Sequence, residues 1–117
     1  DKISNVYWYS GMLTSFLDNA PTFLNFLTGA MSAEKLSIDN PSMVLDFSVN
    51  NVKFLSAISI ASVFFGAMTY IGNAPNFMVK SISEHSGLKM PGFIEYIYRY
   101  SLLILLPLLI IIWFVFF

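Results

Sequence analysis

The 117-residue chain is too apolar to fold as an ordinary soluble domain. Hydrophobic residues make up 56% of it, charged residues make up 11%, and the net charge is −1. Soluble domains carry about 25% charged residues, and a short soluble chain leaves excess apolar surface in contact with water. The small net charge argues against nucleic acid as a partner, and the lack of cysteine excludes disulfides and thiol nucleophiles. We therefore expect an all-α membrane protein whose main partner is the lipid bilayer.

The first apolar region, 6–28, is interrupted by Asp18-Asn19-Ala20-Pro21-Thr22. Its two arms, 7–17 and 22–28, are each too short to cross about 30 Å of hydrocarbon. This pattern predicts a re-entrant helical hairpin over 6–28. Non-helical backbone at membrane depth must be buried in protein or face a wet cavity, so the hairpin requires neighbouring helices.

The stretch 29–53 is the most polar part of the chain and contains the turn signal Asn40-Pro41. We expect an extramembrane loop here, with room for a short interfacial helix.

The second apolar region, 54–86, meets Gly72-Asn73-Ala74-Pro75-Asn76 after the run 54–71. These are poor helix-interior residues, and proline alone costs about 3 kcal/mol there. A broken helix is therefore predicted over 54–86. Its second half begins near Ala74 and runs toward Gly87, which is a suitable C-terminal cap.

The chain ends with a polar connection, 87–100, and an uncharged apolar run, 101–117. As a helix the 17-residue run is about 26 Å long, the lower limit for a transmembrane helix. The tyrosines and Arg99 before it suit a membrane interface, and Pro107 predicts a kink. Three of the six basic residues lie between positions 80 and 99. The positive-inside rule therefore predicts that 87–100 is cytoplasmic, with 29–53 and the C-terminus outside.

Both interruptions contain the same tripeptide, Asn19-Ala20-Pro21 and Asn73-Ala74-Pro75. An amide before a proline is typical of a helix start, so each preceding segment must end and leave carbonyl oxygens unpaired near Leu17 and Ile71. Helix N-termini attract anions, and freed carbonyls coordinate Na⁺ in transporters built from broken helices. The motif predicts a secondary transporter with its ion or substrate site at the two breaks.

Asp18 is the strongest single candidate, because a carboxylate at membrane depth costs about 2.5 to 3.5 kcal/mol unless it faces a cavity or partner. It could bind Na⁺ or exchange a proton for it, or it could only cap the following helix. The predicted ion- or substrate-binding residues are Asp18, Asn19, Thr22, Thr69, Asn73 and Asn76, of which Asp18, Asn19 and Asn73 would bind sodium. We expect no cofactor beyond transported Na⁺ and H⁺. No catalytic triad, phosphate-binding glycine loop or carboxylate pair favours an enzyme.

Two stretches resemble the ion transporter superfamily, which contains Na⁺/H⁺ antiporters, arsenite pumps, citrate carriers and divalent anion:sodium symporters. Thr14-Ser15-Phe16-Leu17-Asp18-Asn19-Ala20-Pro21-Thr22 is similar to its second hairpin tip, and Gly66-Ala67-Met68-Thr69-Tyr70-Ile71-Gly72-Asn73-Ala74-Pro75-Asn76 is similar to the broken helix that follows. The likeness is greatest to the bacterial branch of sodium:proton antiporters and citrate-transporter-like proteins.

The resemblance implies two inverted repeats, each with a re-entrant hairpin and a broken helix. Residues 1–117, which begin at Asp1 without a signal peptide, would then be the C-terminal part of the transport domain and of the second repeat. The resemblance further implies the upstream repeat as a partner, a homodimer, and a bacterial-type inner or plasma membrane.

Three functions remain open. The leading hypothesis is a Na⁺/H⁺ antiporter, because dicarboxylate symporters carry Ser-Asn-Thr where this chain has Asp18-Asn19-Ala20. The alternative is a sodium-coupled transporter of citrate, a dicarboxylate or another anion, with the anion held at the helix N-termini. The third is a membrane scaffold subunit without a transport cycle, which two breaks at membrane depth disfavour.

Overall fold

The computed structural model describes residues 2–117, and the secondary structure of this part of the chain is all helical, without strands. The predicted all-α class is confirmed. The helices are α1 (Lys2–Thr14), α2 (Asn19–Ala33), α3 (Pro41–Asn50), α4 (Val52–Phe64), α5 (Ala74–His85) and α6 (Phe93–Phe116). A 3₁₀ turn, Phe65–Met68, extends α4, and the section Ile97–Leu105 of α6 is π-helical.

Helices α1 and α2 form a hairpin that packs against α4. The start of α1 and the end of α2 line one cavity, so the two helices run antiparallel. The surfaces that α1 and α4 bury consist largely of small residues: Ser10, Gly11 and Thr14 on α1, and Ala57, Ala61 and Ser62 on α4. Small residues let helix backbones approach closely. A side chain at Gly11 would lie 2.6 Å from the ring of Phe65.

Helix α6 joins this bundle through an aromatic cluster around Tyr7. The Tyr7 ring is fully buried among Trp8, Phe65 and Trp113. Its hydroxyl donates a 2.9 Å hydrogen bond to the carbonyl of Leu109, across more than one hundred residues of sequence. A second apolar cluster connects α2 with α3 and contains Leu27, Met31 and Phe47.

The stretch predicted as a loop, 29–53, contains the end of α2 and all of α3. Asn40 and Pro41 begin α3, because the Asn40 side chain accepts a 3.0 Å hydrogen bond from Ser42 N and Pro41 occupies the first turn. The dipeptide Asn-Pro is therefore compatible both with a turn and with the start of a helix. Helix α3 is bent by 96° from the helix formed by Val52–Met68.

Helix α6 begins at Phe93, eight residues before the predicted start at residue 101. A 2.7 Å ion pair between Glu95 and Arg99 links successive turns, so the polar start stays helical. Pro107 does not end the helix. With 24 residues, α6 is the one helix within residues 2–117 that is long and apolar enough by itself to cross a membrane.

The second interruption separates α4 from α5 as predicted. After the 3₁₀ turn the chain is non-helical from 69 to 73. Helix α5 ends at His85, and Gly87, two residues further on, has a φ of +88°. Gly87 N and Leu88 N donate 3.0 Å hydrogen bonds to Glu84 O and Ser83 O. The predicted glycine cap is confirmed. It is the type of C-terminal cap in which the residue after the helix adopts a left-handed conformation.

The hairpin tip and this interruption meet at Gly72. A Cβ there would lie 2.5 Å from Gly66 O, 2.9 Å from Ser15 O and 3.0 Å from Thr14 O. All three obstacles are backbone atoms, which cannot swing aside as a side chain can. Only glycine therefore allows the two non-helical segments to approach this closely.

We expect Gly72→Ala to destabilise the protein by about 1 to 3 kcal/mol, because it forces backbone apart in a packed region. Thermal unfolding of the complete protein in detergent measures this. Gly29→Ala is the matched control: it lies within α2 with nothing inside 4 Å of the new methyl group, and should raise stability by up to about 1 kcal/mol. Equal unfolding midpoints for Gly72→Ala and the wild type would contradict the close approach.

Candidate functional site

Three buried hydroxyl groups hold the hairpin tip against the end of α4. Thr14 Oγ1 donates to Ser62 O at 3.0 Å, and Ser15 Oγ donates to Phe65 O at 3.3 Å. In the opposite direction, Thr69 Oγ1 donates to Ser15 O. The two interruptions are therefore in contact, as their shared motif predicts, although 54 residues separate Asn19 from Asn73.

The side chain of Asn19 lies at the centre of this contact. Its terminal amide position is surrounded by oxygens: Ser62 O at 2.8 Å, Gly72 O at 3.2 Å and Thr14 Oγ1 at 3.2 Å. These acceptors assign the amide nitrogen to this position, since an amide oxygen there would have no donor other than the Thr14 hydroxyl. Asn19 thus connects α1, α2, α4 and the segment before α5.

The backbone carbonyls at the end of the first half of the broken helix accept hydrogen bonds from side chains. Five successive carbonyls, at positions 65 to 69, each accept a hydrogen bond from a side chain. The donors are Ser15 to Phe65 O, Asn76 to Gly66 O (2.7 Å) and Thr69 O (3.0 Å), Tyr96 to Ala67 O (2.8 Å), and Ser101 to Met68 O (2.5 Å). The prediction of unpaired carbonyls near this break is wrong for positions 65 to 69. At the first break, Leu17 O lies 3.3 Å from Thr14 Oγ1 and shares that hydroxyl's single hydrogen with Ser62 O.

Two predicted binding residues, Thr69 and Asn76, therefore fix the shape of the break. Besides its bond to the tip, the Thr69 hydroxyl accepts hydrogen bonds from Ile71 N (3.3 Å) and Gly72 N (3.0 Å). Asn76 donates two hydrogen bonds back to the 3₁₀ turn. Both side chains compensate backbone groups that the interruption leaves without helical partners.

The structure leaves Asp18 outside this contact. Its side chain is exposed and accepts a 2.8 Å hydrogen bond from Asn19 N, which makes it the N-cap of α2. Thr22 is buried in the first turn of α2 and donates to Asp18 O at 3.1 Å. Asn73 is the residue before α5, where its side chain makes no capping hydrogen bond. Of the six predicted residues, Asn19, Thr69 and Asn76 lie together in the contact, and the Asp18 carboxylate does not.

Three further residues at the contact, Ser62, Tyr96 and Ser101, were not predicted from the sequence. Tyr96 and Ser101 bond to neighbouring carbonyls although they are five positions apart, a spacing that shares a face in a π-helix but not in an α-helix. The usual helical period therefore gives no signal for this pair. Ser62 lies on the same face of α4 as Ile58, one turn earlier, and both are buried against the hairpin.

The electrostatics of the contact come from backbone dipoles. Helices α2 and α5 both begin here. The Asp18 carboxylate caps α2, whereas α5 has no acidic residue in its first turn and no side-chain cap. The positive end of α5 therefore lies, without a counter-charge of its own, beside a group of uncharged oxygens. Within residues 2–117, no three acidic or histidine side chains are grouped in a way that could hold a metal ion. A cation bound at this contact would use amide, hydroxyl and carbonyl oxygens.

Comparison with known proteins gives one result. The chain matches, over residues 1–117, a protein family described as "putative citrate transport". No curated protein and no solved structure matches it significantly. The match agrees with the resemblance of the two motif stretches to citrate-transporter-like proteins. Because it covers the whole chain, the protein belongs to this citrate transport family of membrane proteins.

Proposed function

We propose that the protein is a sodium-coupled transporter of citrate or a similar carboxylate anion, with its binding region where the hairpin tip meets the broken helix. One observation carries this proposal: the Asn19 amide lies among Ser62 O, Gly72 O and Thr14 Oγ1, at the point where α2 and α5 begin. This arrangement combines oxygen ligands for a cation with the N-terminus of α5, which no side chain caps, for an anion. The description of the family supports the choice of anion.

The oxygens around Asn19 suit a reversibly bound sodium ion. A half turn of the amide exchanges its nitrogen for its oxygen, which then faces the Ser62 and Gly72 carbonyls and the Thr14 hydroxyl. Sodium is a hard cation that prefers such oxygens, as calcium and magnesium do. Without sodium, the amide nitrogen bonds to the same oxygens. These buried oxygens therefore have a partner both in the sodium-bound and in the sodium-free state. All these ligands are uncharged, which favours the release that a transport cycle requires.

The anion would lie at the N-terminus of α5, where Asn73 makes no capping hydrogen bond, because the Asp18 carboxylate already caps α2. Helix N-termini bind carboxylates through free N–H groups and the positive end of the helix dipole. A sodium ion at Asn19 would add positive charge beside this N-terminus and so raise the affinity for the anion. By thermodynamic reciprocity the anion would raise the affinity for sodium equally, which couples the two binding steps. This binding mode does not need the tip hydroxyls of dicarboxylate symporters, which Asp18 and Ala20 replace here.

The proposed placement in the membrane follows from the helix lengths. Helix α6 crosses the membrane, α1 and α2 form a re-entrant hairpin, and α4 and α5 are the halves of one broken helix. Helix α5 buries none of its residues, and Phe77, Met78 and Ile82 on it are exposed. We propose that the upstream repeat of the transporter and lipid cover such surfaces, in a homodimer within a bacterial-type plasma membrane.

Na⁺/H⁺ antiport is the second candidate, and the exposure of Asp18 favours it. The carboxylate at the hairpin tip has one hydrogen bond, to Asn19 N, and is open to a proton or a cation. In that mechanism Asp18 titrates during each cycle. In the proposed anion transporter Asp18 only caps α2.

We expect Asn19→Ala to raise the sodium concentration for half-maximal citrate uptake by about 10- to 100-fold. This corresponds to about 1.5 to 3 kcal/mol for a polar group that bonds to a charge. Uptake of labelled citrate by the complete protein in proteoliposomes, at a series of sodium concentrations, measures it. Asn25→Ala is the control, because Asn25 lies on the same helix but is exposed, and it should behave as the wild type does. Unchanged sodium dependence in a folded Asn19→Ala variant would contradict the proposed site.

Asp18→Asn separates the two candidate functions. The amide oxygen of asparagine still accepts the hydrogen bond from Asn19 N, so the helix cap is retained while the titratable group is lost. We expect sodium-dependent citrate uptake within about twofold of the wild type, because asparagine and aspartate cap helices almost equally well. Loss of sodium-driven proton flux, measured with a pH-sensitive dye inside the vesicles, would instead support antiport.

A further inference from the structure

Ser62 carries the one buried serine or threonine hydroxyl in residues 2–117 that has no hydrogen-bond partner. Seven such side chains are buried: Ser10, Thr14, Ser15, Thr22, Ser62, Thr69 and Ser101. Each of the other six donates to a backbone carbonyl. Ser62 is 1% exposed, so solvent at the protein surface does not serve it either.

This lack of a partner is unusual for a helical serine. A serine in a helix commonly donates to the carbonyl four residues earlier. In this chain Ser10 bonds to Val6 O, Ser15 to Gly11 O, and Ser59 to Leu55 O. Ser62 makes no equivalent bond to Ile58 O. A buried hydroxyl without a partner costs about 1 to 3 kcal/mol, and alanine would fill the same space without that cost.

The unpaired hydroxyl belongs to the residue that closes the hairpin contact. The backbone carbonyl of Ser62 accepts from Thr14 Oγ1 at 3.0 Å, and lies 2.8 Å from the Asn19 amide nitrogen. The Ser62 side chain is buried, on a residue whose carbonyl oxygen lies between Thr14 of α1 and Asn19 of α2. Ser62 Oγ is therefore available as a ligand, and the carbonyl oxygen of the same residue already belongs to the candidate cation site.

We propose that Ser62 Oγ is a further ligand of the transported sodium ion, an inference that rests on the proposed sodium-coupled function. The hydroxyl supplies an uncharged oxygen from α4, which the hairpin residues Thr14 and Asn19 cannot supply. Sodium binding then ties α4 to both arms of the hairpin.

The alternative is that Ser62 has no ligand role and its hydroxyl is a local packing feature or binds a buried water. Ser62→Ala distinguishes the two. If the hydroxyl only packs, the variant should be as stable as the wild type or more so, with an unchanged response to sodium. If the hydroxyl binds sodium, stability without sodium should be kept while the response to sodium shifts to higher sodium concentrations.

The experiment compares the complete wild-type protein with Ser62→Ala, Ser62→Thr and Ser59→Ala. The measurements are the rise in the thermal unfolding midpoint in detergent as NaCl replaces choline chloride, and the sodium dependence of citrate uptake in proteoliposomes. For Ser62→Ala we expect an unchanged or higher midpoint without sodium and an increase of about tenfold in the sodium concentration for half-maximal response. The KM for citrate at saturating sodium should stay unchanged. Ser62→Thr, which keeps the hydroxyl, should restore sodium binding.

Ser59→Ala is the matched control, since Ser59 lies on the same helix and its hydroxyl is bonded to Leu55 O at 2.8 Å. It should respond to sodium as the wild type does.

A wild-type sodium response in Ser62→Ala would overturn the role of Ser62 and leave the proposed function intact. No sodium response in the wild type would overturn the proposed function itself. If Ser62→Ala does not fold, Ser62→Cys replaces it, because sulfur keeps the volume but is a poor ligand for a hard cation, and the expected result is the same.

Discussion

The structure depends on one constraint: two helices are interrupted, and the backbone groups at the interruptions must find partners outside helical hydrogen bonding. In an apolar surrounding each unpaired group costs several kcal/mol. Side chains from the hairpin tip, from α5 and from α6 supply donors to five successive carbonyls, at positions 65 to 69. The breaks are therefore ordered features that several elements hold in place. This explains why the tip and the broken helix meet although neither could keep its shape alone.

The same constraint gives α6 a role beyond that of a membrane anchor. Tyr96 and Ser101 reach consecutive carbonyls because the helix is π-helical between Ile97 and Leu105, which brings residues five apart onto one side. Tyr70, just after the 3₁₀ turn, stacks on Tyr96 at 4.6 Å between ring centroids. A shift of α6 would consequently disturb the carbonyls next to the hairpin tip. Short π-helical sections are frequent at functional sites, in accordance with this position.

Much of the fold could be predicted from the sequence, because helix breaks and caps depend on local chemistry. Asn, Pro and Gly indicated both interruptions, and Gly87 indicated the end of α5 through its need for a positive φ. The start of α6 and the existence of α3 were harder to predict, since polar or turn-forming residues also begin helices. At the candidate site the motif indicated Asn19, Thr69 and Asn76. The carbonyl partners could not be predicted, because tertiary contacts between distant residues decide which oxygens are occupied.

Asp18 and Asn19 are neighbours in sequence, but the structure places their side chains differently. A carboxylate in an apolar segment is costly, which makes it the natural first candidate. In the structure it caps α2 from the exposed side, whereas the uncharged Asn19 next to it enters the contact. A neutral amide suits that position better: it can donate to the carbonyls in one orientation and accept in the other, whereas a buried carboxylate among carbonyl oxygens would be repelled. For the proposed sodium site, an asparagine at the centre therefore allows both binding and release, with the charge kept one residue away.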